Sequence, residues 1–243
     1  MKIAVVGAAG RMGSAVCQAV DDAEDLELCA RLDADDSVFE GARGADVVVD
    51  FTVPSVTRSV VAEALRAGAH VVVGTTGWDE AGYDEVAELA RQAGRNVVIA
   101  PNFSISAVLM MHLAASAAPY FESTEIIEMH HPDKVDAPSG TAHATARAIA
   151  AAREGRPMPD ATQTDPDGSR GARVEGVPVH AVRLRGLTAH QEVLLGNAGE
   201  TLTIRADSFD RSSFMPGVLH AVRRVGELEG LTVGLEVVLG LTR

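Results

Sequence analysis

The sequence predicts an α/β protein in two parts: a parallel sheet wound with helices, then a smaller α+β domain whose sheet is mainly antiparallel. Three observations predict it. From Lys2 to about Phe103, short apolar runs alternate with segments of helical periodicity. After Asn102 the pattern changes, and strands come to follow one another without helices between them. A glycine-rich turn separates the first strand from the first helix. The 243 residues accommodate one large or two modest domains, and the change of pattern selects two.

In the first part the apolar runs Lys2–Val6, Leu26–Leu32, Ala45–Asp50, His70–Val73 and Asn96–Ala100 read as strands. Gly10–Val20, Pro54–Ala67 and Asp79–Ala93 read as helices, the last two opened by a Pro or Asp suited to a helix start. The stretch from Leu32 to Ala45 has only a weak pattern and reads as loop or a short helical turn. Alternating elements of this kind wind a parallel sheet with right-handed crossovers. Beyond Asn102 a helix is expected at about Ile105–Ala117, a strand at Thr124–Met129 and a helix from Ser139 to Arg153. Glu154–Gly176, rich in Gly, Pro, Asp, Ser and Thr, reads as an exposed loop. Val179–Leu184, Ala189–Leu195 and Thr201–Ala206 then predict an antiparallel meander, with Asn197-Ala198-Gly199 turning between the last two. Phe214–Arg224 reads as a closing helix and Thr232–Leu239 as a closing strand. The change of pattern near Asn102 places the boundary there, with a second domain of α+β type following it.

Composition narrows the function classes. Apolar residues make up 47%, charged residues 23% and aromatic residues 4%, which describes a folded chain with an aliphatic core. A formal charge of −13 without any basic cluster repels a phosphate backbone and argues against nucleic acid as partner. A small anion held by a few converging cations stays compatible with that charge. Cys17 and Cys29 sit in apolar stretches, away from CxxC or Cys/His spacing, and are expected to be buried free thiols in a reducing cytoplasm. A strand begins at once, without a cationic leader, and no run of some 18 apolar residues occurs, so neither export nor a membrane span is expected.

Gly7-Ala8-Ala9-Gly10-Arg11-Met12-Gly13 spells G-x-x-G-x-x-G between strand and helix. Glycines there let the backbone approach a pyrophosphate, whose charge meets free N–H groups and the positive end of the helix dipole. Asp33 closes the second strand 20 residues beyond Gly13, where a carboxylate accepts hydrogen bonds from an adenosine ribose. Together these predict a Rossmann-type dinucleotide domain, against the plainer reading of an ordinary tight βα turn with a surface Asp. A carboxylate repels a 2′-phosphate, so Asp33 favours NADH; Arg11 and Arg31 keep NADPH open. Gly74-Thr75-Thr76 and Ala100-Pro101-Asn102-Phe103 fall at later strand ends, where such sheets place their ligand crevice, and are candidates for the nicotinamide side. Each read singly is as well explained as a plain turn.

His130, His131 and Lys134 lie within a dozen residues of a helix start at Ser139. Ser139 suits an N-cap, and the N–H groups of Gly140 and Thr141 in the first helical turn make a carboxylate pocket. His131 and Lys134 offer a cationic side for a second anionic group, while His130 exchanges protons near neutral pH. Adjacent histidines alternate in direction along a strand and no third ligand lies at motif spacing, so no metal is expected.

The run E-x-H-H-x-x-K-x-D-A-P-S-G-T-A from Glu128 to Ala142 resembles the dihydrodipicolinate reductase family. So do the N-terminal glycine pattern, Asp50-Phe51-Thr52, Val73–Gly77, Ala100–Phe103, Val179–Leu184 and Ala189–Val193, in that order along the chain. The resemblance implies a nicotinamide-dependent reductase of the lysine and diaminopimelate pathway acting on a dicarboxylate. It implies Gly7–Met12 as the pyrophosphate loop, Gly74–Thr76 and Ala100–Phe103 as nicotinamide contacts and Asp33 as the ribose acid. His130 takes the family's proton donor/acceptor role and Lys134 that of proton donor; His131, Gly140 and Thr141 take the substrate carboxylates. It further implies a homotetramer, consistent with an apolar meander carrying an exposed edge. Ala34, where NADPH-preferring members carry Arg, leaves the cofactor preference open. Two rival readings stand: a related dehydrogenase for a sugar or semialdehyde, poorly matched to the Ser-Gly-Thr helix start, and a noncatalytic NAD(H) sensor, which needs neither His130 nor Lys134 and lacks a basic recognition element.

Overall fold

In the computed structural model, which describes residues 1–241, the chain runs β1 (Lys2–Val6), α1 (Arg11–Asp21), β2 (Glu27–Leu32), α2 (Val38–Gly41), β3 (Val47–Asp50), α3 (Thr57–Arg66), β4 (His70–Val73), α4 (Glu80–Ala93) and β5 (Val97–Ile99). Then come α5 (Ile105–Ala117), β6 (Ser123–His130), α6 (Gly140–Ala152), β7 (Ala172–Val174), β8 (Val177–Arg183), β9 (Ala189–Asn197) and β10 (Glu200–Ser208). The described chain closes with α7 (Met215–Arg224), β11 (Leu231–Val233) and α8 (Leu235–Val238). It divides into two compact units, Met1–Ile105 with the segment from Arg211 onward, and Ser106–Asp210.

The first unit is a six-stranded, all-parallel sheet in the order β11-β5-β4-β3-β1-β2. Its central strands are Val and Ile runs with every residue of β3 and β5 buried, as a sheet covered on both faces requires. Asp79 caps α4 as expected, accepting the Gly82 amide at 2.7 Å. Pro54 does not open α3. The helix starts three residues later, at Thr57, whose hydroxyl donates to the buried carboxylate of Asp50 and draws the first turn toward β3. The segment between Leu32 and Ala45 carries the short α2, capped by the Ser37 hydroxyl. The expected closing strand over Thr232–Leu239 is overturned: Gly234, at φ +91°, ends β11, and Leu235–Val238 coil into α8 with Leu235 buried. An apolar run this short carries no decisive period, and the glycine was the available signal. Cys17 is buried, but Cys29 is exposed, because β2 is an edge strand with one face open.

The second unit is a five-stranded sheet in the order β10-β9-β6-β8-β7, antiparallel except where β6 runs parallel to β8. The simple meander is therefore corrected. β6, the earliest strand, sits between β8 and β9, so those two successive strands never pair. The sequence carries the alternation of each strand but not the pairing order, since neighbours along the chain pair only about two-thirds of the time. Thr124, Ile126 and Glu128 of β6 and Val193 and Leu195 of β9 are buried, and Ile126, Val193 and Leu195 share one core with α6 residues Ala142, Ala146 and Ile149. The loop 154–176 is not wholly irregular. Ala172–Val174 add the edge strand β7 through a tight turn at Glu175-Gly176, both at positive φ. Its earlier part is tied to the sheet by Arg170, which pairs with Glu125 at 2.5 Å, and by Arg173, which pairs with Asp160.

Candidate active site

In the first unit, a cleft of about 940 Å³ opens at the C-terminal ends of β1–β4. Gly7, Gly10, Arg11 and Met12 form one wall, Asp33 and Asp36 another, and Thr52, Gly74, Thr75 and Thr76 the floor and far side. Ala8 and Ala9 belong to the turn without lining the cleft; the Ala9 amide instead donates to both Asp33 carboxylate oxygens at 3.1 Å. The glycines are required by contact. A Cβ on Gly13 would lie 2.0 Å from the Gly7 carbonyl oxygen, and one on Gly7 would lie 2.7 Å from that of Phe51. These are the tight turn and the close helix packing of a dinucleotide cradle, so the residues present fit such a cofactor.

Of the two arginines weighed against Asp33, only Arg11 lines the cleft; Arg31 is drawn to Asp21 at 2.7 Å. Ala100, Pro101, Asn102 and Phe103 do not line it. Ala100 is buried and donates to the Val73 carbonyl, Asn102 accepts the Ser104 amide at 2.8 Å, and Phe103 packs its ring 5.8 Å from that of Phe51. Phe51 in turn fills the space over Gly74, where a Cβ would lie 2.0 Å from its ring. Beneath the cleft, Asp50 is fully buried and accepts the Thr52 amide at 2.9 Å and the Thr57 hydroxyl. Burial pushes its carboxyl above the usual range against those hydrogen bonds.

In the second unit, β6 ends at His130 and α6 begins after Ser139, whose hydroxyl accepts the Ala142 amide at 3.1 Å. His130, Ser139 and Thr141 share a small pocket with His190 and Gln191 of β9. His131, Lys134 and Gly140 do not line it. His131 is exposed on the turn after β6, and the Lys134 ammonium donates to Asp136 at 2.7 Å. Glu128, which the sequence reading gave no role, organises the site. Wholly buried, it accepts His130 Nδ1 at 2.6 Å, the two Arg183 terminal nitrogens at 2.8 and 2.9 Å, and the Ser139 amide at 3.1 Å. Burial raises the Glu128 carboxyl, but Arg183 and His130 outweigh it and hold it below the usual range. Burial also lowers the His130 pKa, Glu128 opposing and Lys134 and Arg183 adding to the fall. The available signal was the i, i+2 spacing of Glu128 and His130, which puts both on one face of the strand.

Among the described residues, no group of three or more His, Cys, Asp or Glu is arranged to hold a metal ion, and no helix is long and apolar enough to cross a membrane.

A Rossmann-type dinucleotide-binding unit joined to a mixed-sheet unit with an imidazole beside a capped helix start is an architecture of pyridine-nucleotide oxidoreductases. Residues 1–103 match the model for the dihydrodipicolinate reductase N-terminus and residues 106–239 that for its C-terminus. The chain is 60% identical over 245 residues to the 4-hydroxy-tetrahydrodipicolinate reductase of Beutenbergia cavernae, covering 99% of both chains. It is 60% identical over 253 residues to that of Bifidobacterium animalis subsp. lactis, covering 99% of this chain and all of the relative. A solved dihydrodipicolinate reductase of Paenisporosarcina sp. TG-14, with dipicolinate bound, superposes with a TM-score of 0.88 at 36% identity over 98% of each chain. The chain belongs to the dihydrodipicolinate reductase family.

Proposed function

We propose that this chain reduces 4-hydroxy-tetrahydrodipicolinate to tetrahydrodipicolinate with NADH or NADPH, in the route to diaminopimelate and lysine. The observation that carries this reading is the end-to-end match to reductases of that name, in a chain that keeps His130 beside the capped start of α6. Residues 1–104 and 214–243 take the cofactor; residues 105–213 take the substrate and build a homotetramer. Gly7, Ala8, Ala9, Gly10, Arg11 and Met12 cradle the pyrophosphate with backbone amides. Gly74, Thr75 and Thr76, with Ala100, Pro101, Asn102 and Phe103, contact the nicotinamide side. Asp33 takes the ribose hydroxyls and favours NADH, a reading supported by Asp36 and Glu63, which line the same cleft.

When bound, the nicotinamide supplies the hydride. The chain's own groups hold the dicarboxylate and move protons. His131, Gly140 and Thr141 take the substrate carboxylates, a role suited to the positive end of α6. His130, held through Nδ1 by Glu128, has Nε2 to give or take a proton. Lys134 donates a proton once its ammonium exchanges Asp136 for substrate. A cytoplasmic location belongs to this reading, supported by two unpaired cysteines.

The test follows NADH and NADPH oxidation by absorbance, with substrate generated in place from pyruvate and aspartate semialdehyde. Rapid turnover is expected; cofactor binding without turnover would favour the other dehydrogenase or the sensor.

A further inference from the structure

We propose that Glu128 is a positioning residue for this reaction: one buried carboxylate fixes the tautomer of His130 and ties its imidazole to the start of the substrate-binding helix. The inference rests on the function proposed above. An ionised carboxylate only accepts hydrogen bonds. His130 therefore carries its proton on Nδ1, which lies 2.6 Å from Glu128 Oε2, and Nε2 is left as the nitrogen that exchanges protons. The other oxygen, Oε1, accepts the Ser139 amide at 3.1 Å, so the same group sets where α6 begins relative to His130.

Arg183 completes the arrangement. Its two terminal nitrogens bind both Glu128 oxygens, and one of them also donates to the Asp136 carbonyl at 2.7 Å. The loop that carries Lys134 is thereby bonded to the same centre. A bidentate guanidinium keeps the carboxylate ionised in a buried place, where an unpaired charge is costly. The charged and titratable groups around His130 are Glu128 on its own strand, Arg183 from β8 and Lys134 from the following loop. His190 of β9 lines the same pocket but is satisfied within its own cluster, with Nδ1 2.6 Å from Asp207 and Nε2 accepting the Thr188 amide at 3.2 Å. A purely structural ion pair has no need of the imidazole. Here His130 and the helix start share the carboxylate that the arginine neutralises.

The experiment measures the imidazole ¹⁵N shifts of His130 and steady-state kinetics in the wild type, Glu128→Gln, Arg183→Lys and the double variant Glu128→Gln/Arg183→Met. The wild type is expected to show the Nδ1–H tautomer alone. Glu128→Gln should mix the tautomers and lower the His130 titration midpoint, since the carboxylate that favours imidazolium is gone. Its kcat should fall about 100-fold while the KM for NADH stays within about twofold. Arg183→Lys, which keeps a cation beside Glu128 but not the bidentate geometry or the bond to the Asp136 carbonyl, should keep the tautomer and lose less of kcat than Glu128→Gln. The double variant carries no unpaired buried charge, so it should regain thermal stability without regaining kcat. An unchanged tautomer in Glu128→Gln, or a kcat that returns with stability in the double variant, would overturn the proposal. Wild-type enzyme that fails to oxidise NADH on this substrate would instead sink the function reading, and the ¹⁵N shifts would still decide the link between Glu128 and His130.

Discussion

The Ala9 amide lies 3.1 Å from each carboxylate oxygen of Asp33, so the acid at the end of β2 is bonded to the glycine turn after β1. That bond holds the carboxylate in the lining of the cleft, and the NADH preference proposed for it can be tested there. Asp33→Asn keeps the shape and removes the charge. The ratio of kcat/KM for NADH to that for NADPH should then fall about tenfold or more, the scale of one charge-assisted hydrogen bond. Arg11→Ala should weaken NADPH more than NADH. Arg31→Ala should leave the ratio unchanged, because Arg31 is engaged by Asp21 at 2.7 Å. A ratio that follows Arg31 would show that the pair opens when cofactor binds.

Gly13→Ala tests the contact between loop and helix. The added methyl would fall 2.0 Å from the Gly7 carbonyl oxygen, a backbone atom that moves only with the loop. Overpacking of this kind costs about 1–3 kcal/mol. Stability in urea should drop by that much, and NADH affinity should drop with it, because the cradle shifts. Lost stability with unchanged affinity would mean that the helix, not the loop, gives way.

Most of the first unit was legible because its elements repeat a local rule, an apolar strand, a turn and an amphipathic helix; the closing α8 was not, because its short apolar run carries no decisive period. The Gly7–Gly13 pattern and Asp33 could also be read, since their spacing is fixed by one βα turn and one strand. Order in the second sheet was not legible, because β6 lies between strands that follow it by some fifty residues and more, and no local pattern records that insertion. The Arg183 partner of Glu128 was missed on similar grounds. Arg183 reaches Glu128 from 55 residues away, and a buried carboxylate between apolar neighbours reads in sequence as one more polar position of an alternating strand.

Asp50 gives a prediction in pH. Among the described residues no cation pairs with its buried carboxyl, and burial raises its pKa in the folded state above the unfolded value. A raised carboxyl pKa means that the folded state binds the proton more tightly, so stability falls as pH rises from the unfolded pKa through the folded one. Asp50→Asn removes that dependence. The stability of wild type minus that of Asp50→Asn should be largest near pH 4 and decrease toward neutrality, measured by urea unfolding at matched ionic strength. A difference that stays flat with pH would show that the amides and hydroxyls around Asp50 offset its desolvation.

Arg153, at the C-terminal end of α6, is 3% exposed, yet among the described residues it pairs with no carboxylate. Its guanidinium donates to the carbonyls of Ala118 and Phe121 and, at 3.0 Å, to that of Glu122, closing the chain between α5 and β6. Burial lowers its pKa from the ordinary arginine value, and the three carbonyl dipoles take the place of a counterion. Arg153→Met keeps much of the apolar stem and strands those acceptors, at about 1–3 kcal/mol for each one left unsatisfied. Water reaching the Glu122 end would reduce the sum, so a loss of roughly 3 kcal/mol is expected. For a chain of this size that lowers Tm by roughly 6–12 °C. Arg153→Lys, with one nitrogen to share among three carbonyls, should fall between. Because Arg153 touches neither His130 nor the cleft lined by Gly7 and Asp33, kcat at 25 °C should stay at the wild-type value in both variants. A fall in kcat parallel to the fall in Tm would show that the α5–β6 connection controls the site as well as the fold.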